Sequence, residues 1–190
     1  RGIAATMDGK KLLVGNRAWM ADNGILVETP VLAEAETDEA SGRTVVFVAD
    51  EERLLGTISI ADVVREEAGR LVEALHRRGI RTVMLTGDNA RTAEAIASQL
   101  GIREVHADLL PVDKSAVMKR LQASGTAAMV GDGINDAPAL ATADVGIAIG
   151  GTGSDAAMET ADVVLMAGRL ERLLDAVRLA RATLDKMRVN

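Results

Sequence analysis

The pattern of apolar and polar positions changes part-way along the chain. In the first part, short apolar runs flank Asp8-Gly9 and Glu51-Glu52, and each pair of runs predicts a β-hairpin. Asn16 predicts the start of a short helix, and residues 30–40 predict a second, acidic helix. Together these elements predict a small α+β lobe over residues 1–61.

Beyond that lobe, segments with helical spacing alternate with short apolar runs. Four apolar residues from Ala68 to Leu75 lie at i, i+3, i+4 and i+7, which predicts a helix with one buried face. Residues 82–85 predict a strand buried on both faces, and residues 127–130 predict another strand. Because strands that alternate with helices form parallel sheets, we expect an α/β fold over residues 62–190: a Rossmann-like parallel sheet with helices on both faces.

Composition narrows the class of protein. The 190 residues are 48% apolar and 26% charged, which is typical of a globular chain and excludes intrinsic disorder. The 22 basic and 28 acidic residues give a net charge of −6, which argues against a nucleic-acid partner. The chain contains no cysteine, so disulfides and cysteine-ligated metals are excluded.

Polar residues and glycines follow the two predicted strands where each strand ends. Thr86-Gly87-Asp88 follows the first strand, and a Gly-Asp-Gly-Ile-Asn-Asp segment, residues 131–136, follows the second. Ligands of such sheets bind beyond the carboxyl ends of the strands. Asp132 and Asp136 lie four residues apart across a glycine turn, an arrangement that suits Mg²⁺ completing its shell with substrate phosphate. The alternative is an ordinary capped turn, since glycine, aspartate and asparagine are common turn residues.

A phosphate-binding hypothesis follows from two further features. Thr86 and Gly87 supply a hydroxyl and a backbone N–H at the start of a predicted helix, and Lys114 opens another helix. The alternatives are a helix cap made by Asp88 or Asn89, and a solvated surface lysine. Carboxylates, a hydroxyl donor and a lysine together are the groups that phosphoryl transfer requires.

Three motifs resemble those of the P-type ATPases, a branch of the haloacid-dehalogenase-like superfamily. They are LTGDN at 85–89, PVDK at 111–114 and MVGDGINDAPALA at 129–141. The blocks at 143–166 and 14–24 look like the heavy-metal-transporting branch. The resemblance covers essentially the whole chain.

The resemblance implies an enzyme, the cytoplasmic part of an ATP-driven heavy-metal pump that works through an aspartyl-phosphate. Copper(I) is the favoured ion, with zinc or cadmium second. It implies Mg²⁺ and ATP as cofactors, and transmembrane and actuator domains of the same pump as partners. Residues 1–61 would belong to the nucleotide-binding domain and residues 62–190 to the phosphorylation domain, at the cytoplasmic face of a membrane.

The resemblance also implies roles for individual residues. Thr86 and Gly87, in one motif with Asp88, would hold the transferred phosphoryl group, and Lys114 would neutralise it. Asn135 would contact a phosphate oxygen, and Asp132 and Asp136 would form a metal site. The ATP pocket would be lined by Gly2, Ile3, Gly15 and Asn16. For Gly15-Asn16 the alternative is a strand-to-helix turn with an asparagine cap.

One departure from the family pattern matters most. The nucleophilic aspartate of the family lies in Asp-Lys-Thr-Gly-Thr, and these residues contain no such motif. Asp50 ends an apolar run, but Glu51-Glu52 follows it, so we interpret it as a hairpin residue. We therefore expect the isolated chain to be inactive, beginning inside the nucleotide-binding domain and ending before a membrane helix. In the family fold the missing strand lies between the strands that end at Thr86 and Gly131, so we expect either a gap there or a strand from another segment.

Two other functions stay open at the level of sequence. A soluble phosphatase of the same superfamily would act on a small phosphate ester, but it needs the same nucleophile. A non-catalytic module that binds Mg²⁺ or nucleotide would need no nucleophile.

Overall fold

The chain folds into two compact units. The computed structural model describes residues 2–7, 9–61, 64–131, 134–149, 159–166 and 170–189. One unit comprises the residues up to Val64 together with Asp88–Gln99, and the other comprises Arg65–Gly87 and the residues from Leu100 onward. The assignment of a nucleotide-binding domain to residues 1–61 and a phosphorylation domain to residues 62–190 stays a prediction.

The first unit is built on a four-stranded antiparallel sheet of order β1-β2-β3-β4. Both predicted hairpins are confirmed, since β1 pairs with β2 and β3 pairs with β4. The elements of this unit are β1 (Gly2–Met7), β2 (Lys10–Gly15), α1 (Arg17–Asp22), α2 (Thr29–Ala40), β3 (Arg43–Ala49), β4 (Leu54–Ala61) and α4 (Ala90–Leu100).

The core of this unit lies on one face of the sheet. Alternate residues of the central strands, such as Leu13, Val45 and Phe47, are buried together with Met20 of α1 and Ala35 of α2. This follows from the two-residue period of a strand, which sends successive side chains to opposite faces. The apolar runs that predicted the hairpins therefore place every second side chain on the face that the helices cover.

Helix α4 packs in the same unit through polar contacts. The Thr92 hydroxyl, which is almost fully buried, donates to the Arg43 carbonyl oxygen over 2.8 Å. Arg91 forms an ion pair of 2.8 Å with Glu36 of α2. These contacts join α4 to elements that lie far from it in sequence.

The second unit contains two parallel sheets. Strand β5 pairs with β6, and β8 lies between β7 and β9. The elements are α3 (Glu66–His76), β5 (Val83–Leu85), β6 (Glu104–His106), α5 (Pro111–Gln122), β7 (Ala128–Gly131), a 3₁₀ turn (Ile134–Asp136), α6 (Ala137–Thr142), β8 (Val145–Ile149), β9 (Val163–Leu165) and α7 (Arg172–Val189).

Helices cover both faces of the β7-β8-β9 sheet. On one face, Leu71 of α3 and Leu173 of α7 pack with Ile147 of β8. On the other face, Met118 of α5 and Leu140 of α6 pack with the β7 strand. The predicted α/β fold with parallel strands and helices on both faces is confirmed.

A cavity of about 680 Å³ lies in the second unit, and residues of both β5 and β7 line it. The lining is mostly apolar and includes Val83, Leu85 and Met129. Within the described residues β5 and β7 do not pair with each other, which agrees with the expected gap. The prediction that the strand at 82–85 is buried on both faces is wrong, because the three residues of β5 are only half-buried. Two of them, Val83 and Leu85, border this cavity.

Candidate functional site

The segment after β5 lies against the loop that leads into α5. The Leu109 N–H donates to the Thr86 carbonyl oxygen over 3.0 Å, and the Thr86 N–H donates to the His106 carbonyl oxygen over 3.0 Å. Gly87 approaches the same loop so closely that a Cβ there would lie 3.3 Å from the Leu109 carbonyl oxygen. The Thr-Gly turn is therefore fixed beside the start of α5.

Helix α5 presents Lys114 at its first turn. Pro111 begins the helix, where a missing N–H costs nothing, and the Asp113 carboxylate accepts the Leu110 N–H over 2.9 Å. Lys114 Nζ donates to Asp136 Oδ1 over 2.7 Å, and the two side chains are only 13% and 14% exposed. The interpretation of Lys114 as a solvated surface lysine is therefore wrong, because burial and a short ion pair hold its ammonium in place.

Gly131 allows Asp136 to occupy this position. A Cβ at residue 131 would lie 2.7 Å from the Asp136 Cβ and 2.9 Å from its Oδ2. Such contacts are too short for any side chain larger than hydrogen. The glycine that ends β7 is thus required by the aspartate that pairs with Lys114.

Mg²⁺ and phosphate are the ligands that the chemistry of this cluster fits. The Thr86-Gly87 turn, the Lys114 ammonium and the Asp136 carboxylate come from the loops that follow β5, β6 and β7. Lys114 engages one Asp136 oxygen, so the second oxygen remains as a possible metal ligand alongside substrate phosphate. Asp132, the other predicted metal ligand, lies outside the described residues. Within the described part of the chain, no three histidine or acidic side chains form a group that could hold a metal by themselves.

Asp88 and Asn89 follow Gly87 in sequence but belong to the first unit with α4. Asn89 caps that helix, since its Oδ1 accepts the Thr92 N–H over 3.1 Å. The capping interpretation of this segment is confirmed for Asn89. A role for Asp88 in phosphate binding stays a prediction.

The four residues predicted for the ATP pocket lie together in the first unit. Gly2 faces Gly15, and Ile3 faces Val14, in the register of β1 and β2. Asn16 follows β2 directly and caps α1, because its Oδ1 accepts the Trp19 N–H over 2.9 Å. The helix-cap interpretation of Asn16 is therefore confirmed, and it brings Trp19 into the same group.

Sequence reasoning missed Trp19 as a possible functional residue. A Cβ at Gly2 would lie 2.3 Å from Cδ1 of this indole, so Gly2 accommodates the ring. The indole Nε1 is buried and has no hydrogen-bond partner among the described residues. A buried donor without a hydrogen-bond partner is uncommon in folded proteins. The available signal was the chain's only tryptophan, three residues after the asparagine cap.

Asp50 serves the β3–β4 turn. Its Oδ1 accepts the backbone N–H groups of Glu52 and Arg53 over 2.9 and 2.8 Å. These two hydrogen bonds, with that of Glu52 the larger, lower the pKa of the Asp50 carboxyl below its usual value of 3.8. The interpretation of Asp50 as a hairpin residue is confirmed.

Across the described residues, none of the helices combines the length and apolar character that a bilayer crossing needs.

The parallel α/β unit, with its polar strand ends and buried lysine–aspartate pair, indicates the protein family to which the chain belongs. Residues 2–144 match the haloacid dehalogenase-like hydrolase family, and the chain belongs to that family. Within it, the sequence is 48% identical to Copper-transporting ATPase RAN1 of Arabidopsis thaliana, over 100% of this chain and 19% of that protein. It is 46% identical to the Copper-exporting P-type ATPase of Bacillus subtilis, over 100% of this chain and 23% of that protein.

A solved structure agrees with these sequence relatives. The crystal structure of a zinc-transporting PIB-type ATPase superposes with a TM-score of 0.70 and 39% identity. The match covers 98% of this chain and 30% of that one. The chain thus resembles P-type ATPases over essentially its whole length and spans 19% and 23% of the two curated relatives.

Proposed function

We propose that this chain is the cytoplasmic part of an ATP-driven heavy-metal pump that works through an aspartyl-phosphate intermediate. The observation that carries the proposal is the buried Lys114–Asp136 pair, which joins the PVDK and GDGIND motifs beside the Thr86-Gly87 turn. Two relatives named for copper and a structural neighbour named for zinc support a heavy-metal cargo. Copper(I) is favoured because the curated relatives carry that name, with zinc or cadmium second.

Each residue of the cluster has a role in this mechanism. The Thr86 hydroxyl and the Gly87 N–H hold the transferred phosphoryl oxygens, and Lys114 neutralises their charge. Asn135 contacts another phosphate oxygen. Asp132 and Asp136 would hold Mg²⁺, which neutralises charge on the phosphoryl group when bound. The chain's own contribution is therefore positioning and electrostatic stabilisation.

In this proposal the strand that carries the nucleophile occupies the cavity between β5 and β7. Among the described residues each of these strands has one partner, β6 or β8, and backbone groups on the cavity side need hydrogen-bond partners. A parallel strand that fills the cavity would satisfy them and would bring an Asp-Lys-Thr-Gly segment to the strand ends beside Thr86 and Lys114. That strand would come from a part of the pump outside these residues, as would the transmembrane and actuator domains.

The nucleotide in this proposal binds at the first unit. The pairing of Gly2 with Gly15 across β1 and β2, with Asn16 directly after β2, supports this site because it brings the predicted pocket residues together. Because the relatives are pumps of a membrane, the proposed location of this chain is the cytoplasmic face.

Acid-stable labelling with γ-labelled ATP and Mg²⁺ tests the proposal. The 190 residues alone should form no hydroxylamine-sensitive label, whereas a longer polypeptide that carries the Asp-Lys-Thr-Gly strand ahead of them should form it. In that polypeptide Lys114→Met should slow labelling by about 10²- to 10³-fold, as expected for the loss of one preorganised donor. Lys119→Met is the matched control, since Lys119 lies exposed on the same helix, and it should change nothing.

Two results would count against the proposal. Label on the 190 residues alone would show that a nucleophile lies within them, as a phosphatase would require. Equal labelling rates for the Lys114 and Lys119 variants would show that the buried pair plays no part in the reaction.

A further inference from the structure

The apolar stripe of α7 continues past the part of the helix that packs on the second unit. Steps of four and three residues alternate along this stripe, which keeps its members on one face of the helix: Leu173, Val177, Ala180, Leu184 and Met187. Leu173 is buried among residues of β8 and β9, and Val177 is half-buried where it lines the cavity. Leu184 and Met187, in contrast, are 53% and 71% exposed. The second half of the stripe is therefore open to solvent.

Basic side chains flank this exposed half on both sides. With 3.6 residues per turn, Arg181 and Arg188 lie on one side of the stripe, next to Leu184, and Lys186 lies on the other side. Residues 178–188 contain four basic residues and one acidic residue, although the whole chain has a net charge of −6. An apolar face with basic flanks is typical of helices that lie at a membrane surface.

The carboxyl end of α3 adds basic residues to the same end of the unit. The Arg181 guanidinium donates to the Arg78 carbonyl oxygen over 3.4 Å, so α7 lies beside the end of α3. Arg77 is exposed there, and its 3.7 Å ion pair with Glu73 lies at the surface. Helix α3 ends shortly before β5 begins, whereas Thr86 follows the other end of β5. The basic surface and the phosphate-binding turn therefore lie at opposite ends of this strand.

Two simpler explanations account for only part of this arrangement. Basic residues near the carboxyl end of a helix complement its dipole, but that effect requires no apolar stripe. A second copy of α7 would cover the stripe as a coiled coil, but Arg181, Lys186 and Arg188 would then place like charges along the edges of the pair. An anionic surface complements both the stripe and its basic flanks.

We propose that the exposed half of α7 docks on an anionic lipid bilayer. Leu184 and Met187 enter the boundary between the headgroups and the acyl chains, while Lys186 and Arg188, with Arg77 of α3, pair with the anionic headgroups. The phosphate-binding turn then faces away from the bilayer. The inference rests on the proposed function only for the choice of membrane, because the cytoplasmic leaflet is the anionic one. The docking itself uses neither ATP nor the nucleophile.

Co-sedimentation of the 190-residue chain with lipid vesicles tests the proposal. The chain should bind vesicles of equimolar phosphatidylserine and phosphatidylcholine but not vesicles of phosphatidylcholine alone, and added salt should weaken the binding. Each basic residue near an anionic surface contributes about 5-fold to the affinity, so Lys186→Gln together with Arg188→Gln should weaken binding about 25-fold. Leu184→Gln removes an inserted apolar side chain and should weaken binding by at least about 10-fold.

Lys10→Gln together with Lys11→Gln is the matched control. It removes the same charge from exposed positions of the β1–β2 hairpin in the first unit. This variant should bind the phosphatidylserine vesicles as tightly as the parent. Circular dichroism of all variants checks that their helix content is unchanged, as expected for substitutions of exposed side chains.

Several results would overturn the proposal. Equal binding to both kinds of vesicle, or binding to neither, would show that no anionic surface is recognised. Unchanged affinity of the Lys186 and Arg188 double variant would show that these residues do not face the lipid. If the chain instead dimerises without binding vesicles, and Leu184→Gln abolishes the dimer, the stripe pairs with a second copy. Labelling with ATP is independent of these results, so failure of the docking proposal leaves the proposed function standing.

Discussion

Gly131→Ala is the change that most directly tests the lysine–aspartate pair, because it leaves both charged residues in place. The new Cβ would lie 2.7 Å from the Asp136 Cβ and 2.9 Å from its Oδ2, whereas ordinary contacts begin near 3.4 Å. Asp136 must therefore retreat by about 0.7 Å, the difference between 3.4 and 2.7 Å. A retreat of that size away from Lys114 would lengthen the 2.7 Å bond to Nζ to about 3.4 Å, beyond a good hydrogen bond.

The loss of folding stability caused by Gly131→Ala follows from this crowding. Forcing an extra methyl group into a packed site costs about 1–3 kcal/mol. At about 2 kcal/mol, a chain of this size should lose roughly 4–8 °C of Tm. The affinity for Mg²⁺ with inorganic phosphate should fall as well, because the displaced carboxylate is one of the proposed ligands.

The assay combines thermal unfolding with an NMR titration of Mg²⁺ and inorganic phosphate. Gly56→Ala is the same chemical change at an open position and should leave both measurements unaltered. A double-mutant cycle with Lys114→Met adds a second check: if Gly131→Ala acts through the pair, the two losses of stability should not add. A Gly131→Ala variant with the parent's Tm, and with amide shifts at residues 134–136 like those of the parent, would refute the reasoning.

Two further predictions concern stability. Asp50→Ala removes the acceptor of two backbone N–H groups and should lower the Tm at neutral pH. Because folding lowers the pKa of this carboxyl, the decrease in Tm should be full above pH 3.8 and should shrink as the pH falls below that value. Thermal melts of both proteins between neutral pH and pH 3 would show this, and a constant difference across that range would contradict it. Gly69→Ala lies in α3 with nothing within 4 Å of the new Cβ, so it should stabilise the chain by about 0.5–1 kcal/mol through better helix propensity. Chemical denaturation would measure that gain, and a loss of stability would mean that the position is more crowded than the structure indicates.

The sequence by itself determined the elements and the class of site. Helical spacing predicted α3, and apolar runs on either side of a turn predicted both hairpins, because these signals depend on neighbours a few residues apart. The Asn16 cap and the Asp50 turn were also predictable, since each side chain bonds to the backbone within three residues. The motifs at the strand ends pointed to phosphate chemistry for the same local reason, as their residue types and order are legible without a fold.

Only the tertiary structure decided how these pieces meet. The contact between Lys114 and Asp136 spans 22 residues, and no local pattern distinguishes this lysine from an exposed one on the same helix. The meeting of Gly2 with the Trp19 ring depends on how α1 packs on the sheet, and the cavity between β5 and β7 depends on which strands pair. Such contacts arise from burial and steric fit between segments that are distant in sequence, whereas periodicity and turn chemistry act only within a segment. For that reason the sequence identified the chemistry, and the fold decided which side chains can perform it together.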